Sequence, residues 1–349
     1  MRFMHTSDIH LREKDDLKTL EIIIDIANFE KCGFLLIAGD FFDEPRAPLT
    51  LEGKVSDIFG KFAGFIYLIP GNHDLEFLKG RERLSNNSEI LNPDTDYVER
   101  DMDGVELWAV PYRDNKEFAE IGRIPAEPKN SVLMLHGSFY DNRRFYGMTD
   151  KKYMPVFMED IDGRFRYAAL GHYHTAREWN TGKTTVAYSG SAWATANTVT
   201  GRRAVFVTDS ADWKTRRIDL PVPYIHPVEL PVNIRDTAET LPEKLERMLS
   251  EVADKDNARL TVSARGTMPP GFTSIDTLRR VLEDVLNRSG IKWDGLTMEG
   301  VVQIAPGLAE HNFVQGLLDE AADIAGREGE DTEAVRMYAM ERINSIFVK

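Results

Sequence analysis

The chain is nearly without thiols: its 349 residues include a single cysteine, Cys32. No internal disulfide can form, and a cysteine-based structural zinc site is excluded. Cys32 falls in a helical pattern and reads as a small buried residue rather than a nucleophile. Long apolar runs are also missing. None approaches the roughly 18 residues that span a bilayer, so no membrane role is expected. The opening MRFMHTSDIH turns polar too soon for the core of a signal peptide. With one cysteine and no export signal, the expected compartment is a reducing cytoplasm. Positive charge is scarce as well: 43 Lys and Arg stand against 57 Asp and Glu, a net −14. That argues against a protein that coats nucleic acid with its whole surface. It leaves room for a local basic track, and it suits a carboxylate-rich site that holds cations. No internal repeat or low-complexity tract is present.

What remains is an ordinary globular composition, 42% hydrophobic and 29% charged, with material for a sizeable core. FMHTSD (3–8), FLLIAGD (34–40), FIYLIPGN (65–72), SVLMLHGS (131–138) and YAALGHYH (167–174) read as short buried strands. Leu17, Leu20, Ile24 and Ala27 share one side of a helix over 17–29, and a weaker helix is expected over 51–62. Further strands are expected over 105–110, 184–190 and 203–209. This strand–helix alternation predicts α/β layering. The proline-rich PVPYIHP (221–227) reads as a linker. Beyond it, VELPVNI, a helix over 241–253, ARLTVSARG, a helix over 274–287 and GLTMEGVVQI predict a compact βαβαβ module. Two helices follow, over 313–324 and 332–347. Phe313, Leu317, Ala321 and Ile324 form the apolar face of the first; Val335, Tyr338 and Ile346 populate the second. The expected domains are therefore 1–225, 226–305 and a C-terminal helical segment, 306–349.

The five main strands each end in a polar cluster: Asp8-Ile9-His10, Gly39-Asp40-Phe41-Phe42-Asp43, Gly71-Asn72-His73-Asp74, His136-Gly137 and Gly171-His172-Tyr173-His174. Five of the eight histidines lie in them. Strand carboxyl ends in a layered α/β fold meet on one rim, where ligands bind. Residues i and i+2 of an extended segment face the same way, so Asp8 with His10, and His172 with His174, can each aim two groups at one place. Asp-x-His and Gly-Asp are common turn sequences when taken singly. A turn has no need of the histidines in GNHD and GHYH. Carboxylates, an amide and imidazoles suit a divalent transition metal of intermediate hardness. One ion needs about four or five such ligands and about seven are available, which points to two ions sharing a carboxylate. Two ions roughly 3.5–4 Å apart form a clamp for in-line attack at phosphorus.

This ordered set resembles the calcineurin-like metallophosphoesterase superfamily over roughly residues 1–220. Within it, HTSDIHL at 5–11, the wide gap between GNHD and His136, and Tyr188-Ser189-Gly190-Ser191 after GHYH resemble the SbcD-type DNA repair exonucleases. The resemblance implies an α/β (α+β) fold: a two-layer β-sandwich flanked by helices, with a small α/β capping domain and C-terminal helices. It implies that Asp8, His10 and His174 hold one metal, that Asn72, His136 and His172 hold the other, and that Asp40 bridges. It implies two divalent ions, manganese by family habit. His73 would then steady the scissile phosphate and protonate the leaving oxygen. Archaeal and eukaryotic relatives carry histidine where this chain has Asp43, whereas bacterial relatives and many phosphatases carry aspartate. Here Asp43 is expected to orient His73 and favour its charged form. Asp74 reads as a turn or cap residue, and His5 as a core group.

The implied activity is a metal-dependent DNA exo/endonuclease working with an SbcC-like coiled-coil ATPase, gripped through the terminal helices, in a homodimer. A helix over 84–91 is the surface expected to pair the two copies. Two alternatives are a phosphatase or phosphodiesterase of a small or nucleotide substrate, and a metal-binding scaffold without catalysis. A nuclease needs cations that position phosphates at the rim. The candidates are Arg46, Arg113, Arg143 and Arg144, the last pair flanked by Phe139, Tyr140, Phe145 and Tyr146. Arg202-Arg203 and Arg216-Arg217 read as solvated hairpin ends.

Overall fold

The computed structural model describes residues 1–44, 47–92, 95–121, 124, 130–141, 152–196, 198–269, 271–302 and 312–347. They form two compact units, Met1–Tyr224 and Ile225–Lys349. The first is built on two six-stranded sheets. In one, Arg2–Thr6, Phe34–Ala38, Phe65–Ile69 and Ser88–Ile90 run parallel; Ala204–Asp209 and Lys214–Asp219 extend it antiparallel. In the other, Val105–Val110, Ser131–His136, Tyr167–Gly171 and Thr185–Tyr188 run parallel between antiparallel edges, Val98–Met102 and Arg177–Asn180.

Alternation along these strands explains the two layers. Phe3, Leu36, Ala38, Tyr67 and Ile69 meet Leu107, Ala109, Val132, Met134, Tyr167 and Ala169 in a core between the sheets. The intervening Met4, Leu35, Ile37, Ile66 and Leu68 face outward onto Leu20, Ile23, Ile24, Ala27, Val55 and Phe59 of the helices Leu17–Phe29 and Ala47–Phe59. On the opposite side, Trp108, Val110, Leu133, Leu135, Ala168 and Leu170 pack with Phe118, Phe139, Ile161 and Phe165. Strands covered on both faces are continuous apolar runs, which is how these five read in the sequence. The fold is thus the expected two-layer sandwich with helices on its flank. Because the central strands of each sheet are parallel, their polar carboxyl ends fall on a common rim.

Three readings are corrected. The second half of the segment read as a linker is strand: Tyr224–Val232 forms the edge of a three-stranded sheet with Ala258–Thr267 and Lys292–Val302, while the two units divide within the segment, at Tyr224/Ile225. Pro227 and Pro231 are tolerated because an edge strand need not donate on its outer side. The helix expected over 84–91 is a turn leading into the strand Ser88–Ile90. Ser88 Oγ takes the Leu84 and Ser85 N–H groups at 3.1 and 2.8 Å, and the Asn87 amide caps the carbonyls of Phe59, Phe62 and Gly64. Such side-chain bonds compete with a helix ladder. The third correction concerns the apolar face of the helix Asn312–Glu328. Val314, Leu318, Ala322 and Ala325 are buried, whereas Phe313 is 68% exposed and Leu317 and Ile324 also face solvent. The two stripes lie one residue apart, and periodicity alone does not choose between them.

In the second unit the helices Thr240–Ser250 and Ile275–Arg288 bury Leu241, Leu245 and Leu249 and Leu278, Leu282, Val285 and Leu286. Ser274 caps the latter, its hydroxyl accepting the Thr277 N–H at 3.2 Å. Val314 and Leu318 pack with Met340 of the helix Thr332–Phe347 and with Ile234. Ile346 lies outside the residues whose side chains are described. Among the described residues no helix is long and apolar enough to cross a membrane.

Candidate metal centre

Each polar cluster sits where a central strand leaves its sheet, and in three of the five the backbone is under strain. Asp8, His10, Asp40 and His172 have positive φ, at 49°, 48°, 50° and 111°. A non-glycine residue in that region costs on the order of 1–3 kcal/mol and persists only where its surroundings force it. Here the loops brace one another. The Asp8 N–H donates to Gly39 O at 3.0 Å, His10 N–H to Asp40 O at 2.9 Å, and Leu11 N–H to Phe41 O at 2.9 Å. Gly71 is required by close approach, since a Cβ would stand 2.1 Å from Asp40 Oδ1. Gly39 is required twice over: its φ is +89°, and a Cβ would meet His136 Nδ1 at 2.2 Å.

The side chains form two groups. In the first, His10 Nε2 and His174 Nε2 are 3.1 Å apart, and Asp8 Oδ1 lies 4.0 and 3.8 Å from them. In the second, Asn72 Oδ1 lies 3.1 Å from His136 Nε2 and 3.2 Å from His172 Nδ1. Asp40 stands between, with Oδ2 3.9 Å from His10 Nε2 and 3.4 Å from His136 Nε2. Asp8, His10 and His174 could hold an ion, and so could Asp8, Asp40 and His136. The structure therefore gathers all seven residues that the sequence singled out as ligands.

The electrostatics fit a cation site. Asp8 and Asp40 are buried, and no lysine or arginine pairs with either among the described residues. Asp8 accepts the Ser7 hydroxyl and the His172 N–H; Asp40 Oδ1 accepts the His73 N–H at 2.9 Å. Burial pushes the Asp8 carboxyl up. Burial also disfavours the Asp40 charge, but His136, by charge and hydrogen bond, outweighs it and holds Asp40 below the usual carboxylate range. Burial opposes a charge on His136, yet Asp40 and Asp8 overcome it and push that imidazole up to about 9. Burial and the charge of His136 press His172 down to about 4. Without ions, protons on imidazoles balance the carboxylates; divalent cations would replace those protons. The oxygen and imidazole donors match ions of intermediate hardness. His136 donates Nδ1–H to Ala38 O at 2.9 Å, which fixes the ring with Nε2 toward Asn72 and Asp40.

His73 lies at the mouth, its side chain 43% exposed. Asp43 reaches two histidines: Oδ1 is 2.8 Å from His10 Nδ1 and 3.5 Å from His73 Nδ1. The shorter of the two contacts is to His10. Among the expected substrate cations, Arg113 bonds to the carbonyls of Tyr112 and Thr95 at 3.2 and 3.1 Å. Arg46, Arg143 and Arg144 lie outside the described residues, as do Phe145 and Tyr146.

Sequence reasoning missed two supports. Asp74 is no simple cap. It is buried, and its carboxylate accepts the N–H groups of Phe41, Phe42 and Gly71 at 2.8, 3.2 and 2.8 Å, locking two site loops together. Burial and Asp40 push its carboxyl up to about 6. Arg203, read as solvated, is 2% exposed. It donates to the carbonyls of Thr200 and His174 at 2.6 and 3.3 Å. The same segment lays Thr195 Oγ1 3.0 Å from His174 Nδ1 and sends the Trp193 indole N–H to Ile9 O at 2.7 Å. No spacing rule signals either residue, because the groups they hold are main-chain ones, some of them about 30 residues away in sequence.

A profile of the calcineurin-like phosphoesterase family matches residues 1–189. Three archaeal relatives named DNA double-strand break repair protein Mre11 align with the chain. The one from Sulfurisphaera tokodaii is 27% identical over 198 residues, 50% of this chain and 49% of the relative. That from Sulfolobus acidocaldarius is 26% identical over 203 residues, covering 51% and 50% respectively. That from Aeropyrum pernix is 24% identical over 225 residues, covering 54% and 53%. The chain thus spans about half the length of the curated relatives it matches. With the profile covering more than half of its residues, this chain belongs to the calcineurin-like phosphoesterase family.

Proposed function

We propose that the protein is a two-metal phosphodiester hydrolase acting on DNA, an exo/endonuclease of the SbcD type. The observation that carries the reading is Asp40, placed between the Asp8–His10–His174 group and the Asn72–His136–His172 group. In this reading Asp40 would help to hold both ions, and the other six side chains would divide between them. Divalent ions held there, manganese by family habit, would supply charge to neutralise phosphate oxygens and to lower the pKa of an attacking water. The protein's own part is to hold the donors rigid and to move a proton. His73 carries that proton, with Nδ1 toward Asp43 and the far nitrogen, Nε2, delivering it to the leaving oxygen. DNA as substrate is supported by the names of the archaeal relatives.

The reading extends to the rest of the chain. Residues 226–305 serve as the capping domain, and 306–349 contact an SbcC-like ATPase in the cytoplasm. A pair of copies is the proposed working unit. The test is degradation of single-stranded DNA by the purified chain, stripped of metal and then supplied with manganese, with and without the ATPase. Cleavage that appears with manganese supports the reading. Hydrolysis of bis-p-nitrophenyl phosphate with none of any DNA would assign a small phosphodiester instead.

A further inference from the structure

The loop after His10 brings a cation to the rim of the centre that the sequence pattern did not single out. Arg12 is 38% exposed, and its Nε lies 3.6 Å from Asp43 Oδ2. The other oxygen of that carboxylate is the one that meets His10 Nδ1 and His73 Nδ1. One carboxylate therefore separates the guanidinium from both a candidate ligand and the candidate proton donor. Below it lies Trp193, with the guanidinium carbon 4.3 Å from a ring centroid. Trp193 is itself fixed by its indole N–H on Ile9 O, between Asp8 and His10. The backbone of Arg12 is held too, its N–H donating to Asp16 Oδ2 at 2.8 Å.

This guanidinium is positioned but not consumed. Among the described residues, no acceptor stands within hydrogen-bond distance of its side-chain nitrogens. A planar fork of donors, stacked on an aromatic face and meeting no hydrogen-bond acceptor among the described residues, matches the oxygens of a phosphate. On a chain of net charge −14, such a group is needed locally to receive a polyanion.

We propose that Arg12 anchors a phosphate of the DNA strand next to the one being cut, with Trp193 as its platform. The proposal rests on the nuclease reading above. A competing role is purely internal, in which Arg12 only steadies Asp43. The two differ in salt dependence, because a phosphate contact displaces counterions from DNA and an internal ion pair does not.

The experiment uses the full chain with manganese and compares the native protein with Arg12→Ala and Arg12→Lys. kcat/KM is measured on a single-stranded oligonucleotide from about 50 to about 200 mM salt. The comparison substrate is bis-p-nitrophenyl phosphate, a diester with no neighbouring phosphate. The expected result for Arg12→Ala is a loss on the oligonucleotide about ten-fold greater than on the small diester, carried mainly by KM. The slope of log kcat/KM against log salt becomes shallower by about one. Arg12→Lys keeps the native slope, since it keeps the charge. Equal losses on both substrates with an unchanged slope would overturn the anchor and leave the internal role. A native chain that hydrolyses the small diester but no DNA would overturn the nuclease reading and the anchor together.

Discussion

The Phe41 N–H lies 2.8 Å from Asp74 Oδ2, so a carboxylate from the loop after one strand closes the turn after its neighbour. That turn presents Asp40, the group between the two ligand sets. Asp74→Ala leaves the N–H groups of Phe41, Phe42 and Gly71 buried without their acceptor. Stability is expected to fall by about 3 kcal/mol, the scale of unsatisfied buried donors. Manganese affinity should fall about 10–100-fold, as it does when groups behind metal ligands are lost. Asp74→Asn, which keeps one acceptor oxygen, should fall between. Urea denaturation and calorimetric titration with manganese provide both readouts. Unchanged metal affinity in the alanine variant would reduce Asp74 to an ordinary turn residue.

A substitution at His73 tests chemistry apart from metal binding. If it supplies the proton, His73→Ser should lower turnover about 10²–10⁴-fold, the usual worth of general acid catalysis. Two ions should still bind per chain, counted by metal analysis after dialysis. The alternative has a structural basis, because His10, Asp40 and His73 also lie close enough to share an ion. Loss of one bound ion along with activity would make His73 a ligand.

Metal loading should be tied to protons. In the metal-free chain Asp40 and Asp8 push His136 up to about 9, so its Nε2 carries a proton that an incoming cation must displace. Fewer such protons remain as pH rises, so manganese affinity should increase between pH 6.5 and about 9. Calorimetry in buffers of different ionisation enthalpy should show net proton release. An affinity flat over that range would mean that His136 is already neutral before metal arrives.

The parts that were legible in the sequence share a physical cause. Strands such as Phe34–Ala38 and Ser131–His136 are buried on both faces and write themselves as apolar runs. Their polar ends stand out by contrast, so Asp8, His10, Asp40, Asn72, His136, His172 and His174 were visible before any geometry. The edge strands of the two six-stranded sheets were not. Lys214–Asp219 and Arg177–Asn180 are mostly charged or polar because they face solvent, and the single apolar residue each packs on a core, Ile218 or Trp179, is too little to signal a strand. Arg203 was misread for a related reason. Adjacent arginines look alike in sequence, yet alternation along an extended segment turns Arg203 inward. Asp74 was invisible as a clamp because its donors are main-chain groups, which every residue but proline offers.

A last prediction concerns acid stability and rests on a residue outside the metal cluster. His5 is fully buried between the sheets, with Nδ1 3.0 Å from the Tyr167 hydroxyl. Burial pushes its imidazole down to about 3, whereas the unfolded chain takes up that proton near 6.5. The unfolded state therefore binds more protons between these values. The stability tied to neutral His5 is complete above pH 6.5 and is lost as pH falls toward 3, at up to about 1.4 kcal/mol per pH unit. His5→Gln keeps a polar partner for Tyr167 but cannot titrate. Its urea midpoint, measured without metal from pH 7 down to about 4, should fall less steeply than that of the native chain. Groups of the metal cluster titrate in both proteins and cancel in the comparison. Parallel curves would show that the acid sensitivity belongs to those groups and not to the core histidine.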